Sequence, residues 1–469
     1  MVPRSSAGTD PAVTASAGRT GRAAIPGVDR LLGHARLRQT VQEFGRGATV
    51  EAIRAVLAGV RASAEEVPGA ESIVAAVVKQ VRRDRAARPR HVLNGTGVIL
   101  HTNLGRAPLS DAAIAAVQSV ASGYSDLEFD LETGERGSRH AHLEDLLVAV
   151  SGAEAGTAVN NNAAALLLTL RALCDGRQVL ISRGQLVEIG GGVRVPDILN
   201  QSGADLVEVG TTNRTYVADY ARAITPATAA ILRVHSSNFR MVGFTAEATI
   251  ADLAALCRKH DLLVIDDLGS GALVDTATFG LTREPMVQAS VDAGASLVCF
   301  SGDKLVGGPQ AGIIVGRRDL IGRIRQDPLA RAVRLDKTSV AALAATLRHY
   351  IHDEWSTAVP VWRMISATRD SLRSRAEGWR ARLLELCPGV SVIETDTAVG
   401  GGSLPGETLP TFALAIPGDD PEGLARRLRL ADTPLVGRIE RGALVIDPRT
   451  IDPRSDDVVV SLLLESLAR

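Results

Sequence analysis

Seven short aliphatic stretches, at 157–160, 178–182, 205–209, 229–234, 262–266, 296–300 and 311–315, alternate with helix-length segments such as 163–173 and 250–260. That alternation predicts an α/β fold with a mostly parallel, doubly wound sheet of seven strands. The composition agrees: 45 glycines and only 3% aromatic residues suit closely packed strands and helices better than an all-β sandwich.

The sheet region is flanked on both sides. Residues 1–25 are rich in Ser, Ala, Gly and Thr without periodicity and read as a disordered leader. Over 26–61 apolar residues recur at helical spacing, with breaks near Gly33 and at Gly45-Arg46-Gly47, and a further helix is expected over 70–83. This small all-α domain and a basic linker, VRRDRAARPR at 81–90, fill residues 26–88. The large domain is placed at 89–338. Beyond it, 339–469 reads as a small C-terminal α/β domain: helices at 339–352 and 360–386, strands at 390–394, 411–415 and 442–447, and a closing helix at 456–467.

Charge is distributed unevenly. Residues 1–90 carry 15 Lys and Arg against 8 Asp and Glu, while the rest of the chain carries 37 against 45. A basic head on an acidic body is suited to meeting a polyanion, although chance plus a basic linker gives the same count. The four cysteines form no CxxC pair and indicate neither a zinc site nor a redox motif. No apolar run approaches the roughly 18 residues needed to span a bilayer. The first 24 residues lack the apolar centre of a signal peptide, so a cytoplasmic location is expected.

Only four of the 52 basic residues are lysines: Lys79, Lys259, Lys304 and Lys337. Lys304 follows the aliphatic strand SLVCF, three residues after Ser301, in a turn that continues Leu-Val-Gly-Gly-Pro. A lysine at the end of an interior strand is costly to desolvate unless its amine is paired or covalently used. A Schiff-base lysine needs this setting, with burial lowering its pKa and small residues admitting a flat cofactor. Ser301 is placed to bond a phosphate. Asn160-Asn161-Asn162-Ala163 follows a strand and opens a helix, an anion cradle or simply an N-cap. LVIDDLGSG at 263–271 ends a strand in acids that can hold a pyridinium nitrogen. Cradle, carboxylate and lysine, in that order, point to pyridoxal 5'-phosphate (PLP) on an aspartate-aminotransferase-like fold. His101 and His235 are expected to line the crevice, with His235 a candidate to stack on the ring. The polar segments at 182–191, 210–214 and 234–238 are expected to contribute to the same crevice. Arg331 and Arg334, three residues apart, are expected on one helical face.

HTNLGRAPLS, VNNNAAALLL, ISRGQLVEIGGGVRVPDIL, EVGTTNRT, DDLGSGALVD and FSGDKLVGGPQAGIIVGRRDL resemble the bacterial L-seryl-tRNA(Sec) selenium transferase (selenocysteine synthase) family. The resemblance runs from about Ile25 to the C-terminus and includes the helical head, which is similar to that family's tRNA-binding domain. It implies a PLP-dependent enzyme that converts seryl-tRNA(Sec) to selenocysteinyl-tRNA(Sec). Water is lost to give an aminoacrylyl-tRNA, and selenium is then added from selenophosphate. Carried over residue by residue, Lys304 is the PLP lysine and Asp303 contributes beside it. Asp267, directly before LGSG, holds the ring nitrogen. Arg106, Arg331 and Arg334 would bind the donor's phosphate, and Asn161, Asn162, Ala163, Ser301 and His235, from their own placement in the sequence, are expected to contact the cofactor. The resemblance also implies a homo-oligomer, a ring of dimers amounting to a decamer. Gln185 stands where the motif leads one to expect Glu.

Two other readings share these features. A PLP-dependent lyase acting on a phosphorylated amino-sugar acid has the same scaffold but no need of a basic helical head. A catalytically idle tRNA-binding protein has no reason to keep a buried lysine.

Overall fold

All seven expected strands form a single sheet in a computed structural model, which describes residues 25–63, 67–85, 89–190 and 192–468. In chain order they are β1 (Ala155–Val159), β2 (Gln178–Ser182), β3 (Asp205–Val209), β4 (Thr228–Val234), β5 (Leu263–Gly269), β6 (Leu297–Ser301) and β7 (Gly312–Gly316). Across the sheet the order is β1-β7-β6-β5-β4-β2-β3. Only β7 runs against its neighbours. The inner strands are buried almost throughout, which explains why they read as unbroken aliphatic runs rather than as alternating ones. Two apolar layers cover the sheet, one containing Leu180, Ile231 and Phe300, the other Val179, Leu232 and Cys299. Neighbouring strand residues thus divide between opposite faces.

A second sheet of five strands is built from Arg438–Glu440, Ala443–Ile446, Thr408–Pro417, Ser391–Gly400 and Val98–Leu100. Its fifth strand comes from the segment that precedes the large sheet. Leu93–Asn94 likewise pairs with Leu435–Val436. Strands of two or three residues carry no readable periodicity, and these two pairings were not expected from the sequence. The helix expected over 360–386 is two helices, Pro360–Ser366 and Arg369–Leu383, because Thr368 caps the second through the Ser371 N–H at 3.3 Å.

The chain divides into two units, Met1–His91 and Val92–Arg469. In the first, α1 (Val28–Leu32), α2 (Ala35–Phe44), α3 (Arg46–Ala62) and α4 (Ala70–Arg85) close around Leu37, Ile53, Leu57, Ile73, Val77 and Val81. Gly45, at φ +87°, provides the break between α2 and α3 that a residue with a Cβ would resist. The basic run beginning at Val81 is not linker at its start: Val81 extends the apolar stripe of α4, so the helix continues to Arg85. The leader expected over 1–25 lies outside the described residues except for Ile25, which packs on this core.

Candidate active site

The antiparallel turn from β6 to β7 makes residues 302–311 a closed loop. Gly302 N–H donates to Ala311 O at 2.8 Å, Gly308 N–H to Gly302 O at 2.8 Å, and Gly307 N–H to Lys304 O at 2.9 Å. Lys304 therefore stands on a backbone fixed at both ends. Its amine lies between two glycines: a Cβ on Gly402 would fall 2.8 Å from Nζ, and one on Gly269 3.8 Å from it. Gly402 belongs to the turn after Ser391–Gly400, so the small sheet supplies one wall against the lysine tip. Burial holds the Lys304 amine below the ordinary lysine range. Arg106 adds to the effect, while Asp267, Asp303 and Glu284 oppose it.

Asp266 and Asp267 face opposite ways along β5. Asp266 is closed off on the far side by Arg233 Nη1 at 3.0 Å and Ser290 Oγ at 2.6 Å. Asp267 Oδ1 instead accepts from Asn162 Nδ2 at 2.8 Å and from Gly269 N–H at 3.2 Å. The pairing of β5 with β6 slips between Cys299 and Phe300, a bulge beside Asp267 of the kind that re-aims side chains near binding sites. Burial pushes the Asp267 carboxyl up, against the Asn162 hydrogen bond and the Lys304 charge. A cationic ring nitrogen would give this carboxylate a charged donor besides the neutral Asn162 and Gly269 groups. Asn162 Oδ1, in the same place, is buried with no hydrogen-bond partner. Asn161 caps the helix Asn162–Cys174 through Ala164 N–H at 2.9 Å. The first-turn N–H groups of Asn162 and Ala163 have no carbonyl within the helix to bond and face anions favourably. Gly312 lies so close to this turn that a Cβ there would meet Asn161 O at 2.0 Å. An amine, a buried carboxylate, an orphaned amide oxygen and a helix N-terminus together fit PLP.

Arg106 Nη1 bonds Asp303 Oδ2 at 2.7 Å, and Ala107 N–H donates to Asp303 O at 3.3 Å. Arg106 holds φ +63°, an unusual conformation for a side-chain-bearing residue. Arg331 and Arg334 do not share a helical face. The helix carrying Arg331 ends at Ala332, because Val333 O accepts from Asn160 N–H at 2.8 Å and Arg334 bridges Val159. Arg331 is exposed, and Arg334 Nη1 lies 3.7 Å from Glu128. Among the described residues, neither arginine is joined to Lys304, Asp303 or Arg106 by a hydrogen bond or ion pair.

His235 follows β4, its N–H donating to Asp267 O at 2.8 Å and its Nε2 lying 3.2 Å from Glu284 Oε1. Ser301 is the buried last residue of β6. Gln185 Oε1 accepts from Val234 N–H at 3.1 Å, a task a neutral amide performs fully. The polar segment that begins at Ser182 is braced against residues 210–215, through Ser182 Oγ to Thr215 Oγ1 at 2.7 Å and Arg183 Nη1 to Gly210 O at 2.6 Å. Sequence reasoning missed Glu284 and Gly402. LTREPM offers no signal for the first, and the glycine run at 400–402 was the available signal for the second.

Residues 92–452 match the family described as L-seryl-tRNA selenium transferase, and residues 22–61 match the selenocysteine synthase N terminal family. A curated L-seryl-tRNA(Sec) selenium transferase of Geobacter sulfurreducens is 46% identical over 453 residues, spanning 94% of this chain and 98% of that protein. One of Nitratidesulfovibrio vulgaris is 47% identical over 466 residues, spanning 95% and 98%. Among solved structures, a D-glucosaminate-6-phosphate ammonia-lyase aligns with TM-score 0.57 at 22% identity, covering 83% of this chain and 98% of that one, a likeness of fold.

Proposed function

The chain belongs to the L-seryl-tRNA(Sec) selenium transferase family, and on that premise we propose that it converts seryl-tRNA(Sec) to selenocysteinyl-tRNA(Sec) with PLP held at Lys304. The observation that carries the reading is the pairing of a buried, pKa-lowered lysine with a buried carboxylate anchored by Asn162. PLP, when bound, supplies an electron sink for negative charge at the serine α-carbon.

The chain's own residues do the rest. Lys304 Nζ, whose protonation burial and Arg106 disfavour, would hold the cofactor and, once the serine amine displaces it, would be free to take the α-proton. Asp267 would accept the ring N–H of the cofactor, and Asn162 keeps that carboxylate oriented. The helix start at Asn161, Asn162 and Ala163, with Ser301, would hold the cofactor's phosphate, and His235 would line the site beside Asp267. Asp303 aims Arg106 at the phosphate of selenophosphate; Arg331 and Arg334, which no hydrogen bond or ion pair among the described residues joins to Arg106, are assigned to the same anion by the family resemblance alone. The serine β-hydroxyl leaves as water, selenium from selenophosphate adds at the β-carbon while its phosphate is released to water, and Lys304 returns a proton to the α-carbon.

The helical unit presents Arg30, Arg36, Arg38, Arg46, Arg54, Arg61, Lys79, Arg82, Arg83 and Arg85 to solvent, a set suited to the tRNA backbone. We assign tRNA binding to this unit, residues 26–88, catalysis to 89–338 and a supporting role to 339–469. The assembly we favour is a homo-oligomeric ring of dimers in the cytoplasm. No helix among the described residues is long and apolar enough to cross a membrane.

The test is the visible spectrum of the purified protein with PLP, titrated with seryl-tRNA(Sec) and separately with a phosphorylated amino-sugar acid. A spectral change with charged tRNA alone is expected. A response to the small acid alone would make the protein a lyase, and no PLP-dependent absorbance would overturn the reading.

A further inference from the structure

We propose that Glu284 is a positioning residue for His235, its buried carboxylate holding the imidazole by Nε2 and so fixing the ring's orientation at the Lys304 site. The inference rests on reading that site as the PLP site. Glu284 Oε1 lies 3.2 Å from His235 Nε2, with the two side chains 4% and 18% exposed. A carboxylate this deeply buried is costly unless it is paired or hydrogen-bonded, and His235 is the side-chain partner the structure gives it. An ionised carboxylate only accepts hydrogen bonds, so in this pair Nε2 is the donor and the proton between them belongs to it.

The carboxylate is not needed to hold its own loop together. Glu284 N–H donates to Thr276 Oγ1 at 2.8 Å, and Thr276 Oγ1 donates to Thr282 O at 2.7 Å, so backbone and threonine already pin the segment. His235 is gripped from the other side by its backbone, its N–H on Asp267 O at 2.8 Å and its carbonyl accepting from Ser237 N–H at 2.8 Å. The main chain thus places the Cα of His235 beside Asp267, and Glu284 is left to set the ring. Glu284 is also near enough for its charge to act on Lys304, together with Asp267, Asp303 and Arg106.

The test uses the full-length protein. Nitrogen NMR of the histidine rings, recorded without added PLP and assigned by difference from His235→Ala, is expected to show His235 protonated at Nε2. Glu284→Gln, which keeps an acceptor, should preserve that signature, and Glu284→Leu should abolish it. PLP affinity, read by absorbance titration, is expected to fall about 10-fold in Glu284→Leu and less than about 3-fold in Glu284→Gln. In a His235→Ala background, Glu284→Leu should cost less than about 2-fold further, since a residue acting through another is non-additive with it. An equal loss with and without His235, or ring signals unchanged in Glu284→Leu, would overturn the proposal. Failure of the unaltered protein to bind PLP would instead sink the reading of the site, while the ring signals would still decide whether Glu284 positions His235.

Discussion

Gly402 stands so close to Lys304 that a Cβ there would lie 2.8 Å from Nζ and 2.9 Å from Cε. The residue also holds φ +82°, so both its conformation and its missing side chain are used. The amine that carries the chemistry is therefore enclosed by a turn more than 90 residues away in sequence, on the smaller sheet. Gly402→Ala is expected to cost about 1 kcal/mol of stability through the positive φ. It should weaken PLP binding by about 10-fold or more, because the methyl occupies the space of the lysine tip. A thermal melt together with a PLP titration checks both halves.

Lys304→Met removes a buried amine whose protonation is disfavoured in the folded state. Folding stability tied to a group with a lowered lysine pKa is present above the ordinary lysine range and is lost as pH falls through the folded value. Near neutral pH the wild-type protein without PLP therefore carries this penalty and the variant does not. Denaturant midpoints should rise for Lys304→Met by an amount equivalent to about 1 kcal/mol, while formation of selenocysteinyl-tRNA falls to background. A variant that lost stability instead would contradict the buried-amine assignment.

Asp267→Asn tests the opposite sign. The Asp267 carboxyl is raised by burial, so its contribution is present below the ordinary aspartate value and is lost as pH rises through the higher folded value. Without PLP, the variant should flatten that part of the stability profile, since its amide bears no charge at any pH. Turnover should nevertheless fall by about 100-fold or more, because an amide cannot hold the ring nitrogen's charge. Unfolding curves recorded from pH 4 upward, beside single-turnover assays, provide the comparison.

How much of this was legible depends on the length of the signal. Each of the seven large-sheet strands spans five to seven residues and was readable from its aliphatic run. Val98–Leu100 and Leu93–Asn94 are too short for any period, and their partners lie some 300 residues downstream. Lys304 and Asp267 stood out because burial makes charged residues conspicuous in an aliphatic run. Glu284 did not, because its burial arises from loop packing between Thr276 and Thr282 rather than from a periodic element. Arg331 and Arg334 show the limit of spacing arguments. Three residues apart is a helical relation only while the helix lasts, and the hydrogen bond from Asn160 to Val333 ends it between them.

Arg106→Gln separates two effects of one guanidinium. Its charge lowers the Lys304 pKa, so its removal raises that pKa and moves the acid limb of the pH–rate profile to higher pH. The Asp303 carboxylate also loses its 2.7 Å partner. If Arg106 additionally grips the donor phosphate, the KM for selenophosphate should rise by about 10-fold or more, beyond what the pH shift explains. Measuring kcat and KM across pH distinguishes these outcomes, and an unchanged KM would leave Arg106 acting on Lys304 alone.

Removing residues 1–91 deletes one unit and leaves the apolar layers of both sheets intact. The shortened chain is expected to bind PLP as the full chain does, because Lys304, Asp267 and Asn162 all lie in the second unit. Its affinity for seryl-tRNA(Sec) should fall by about 100-fold at moderate salt. The slope of log affinity against log salt should become shallower by about 0.7–0.9 for each phosphate that the helical head no longer neutralises. Filter binding at several salt concentrations gives both quantities. A truncated protein with undiminished affinity and the same slope would place the tRNA-binding surface on the second unit, and the ten exposed basic residues of the helical head would need another partner.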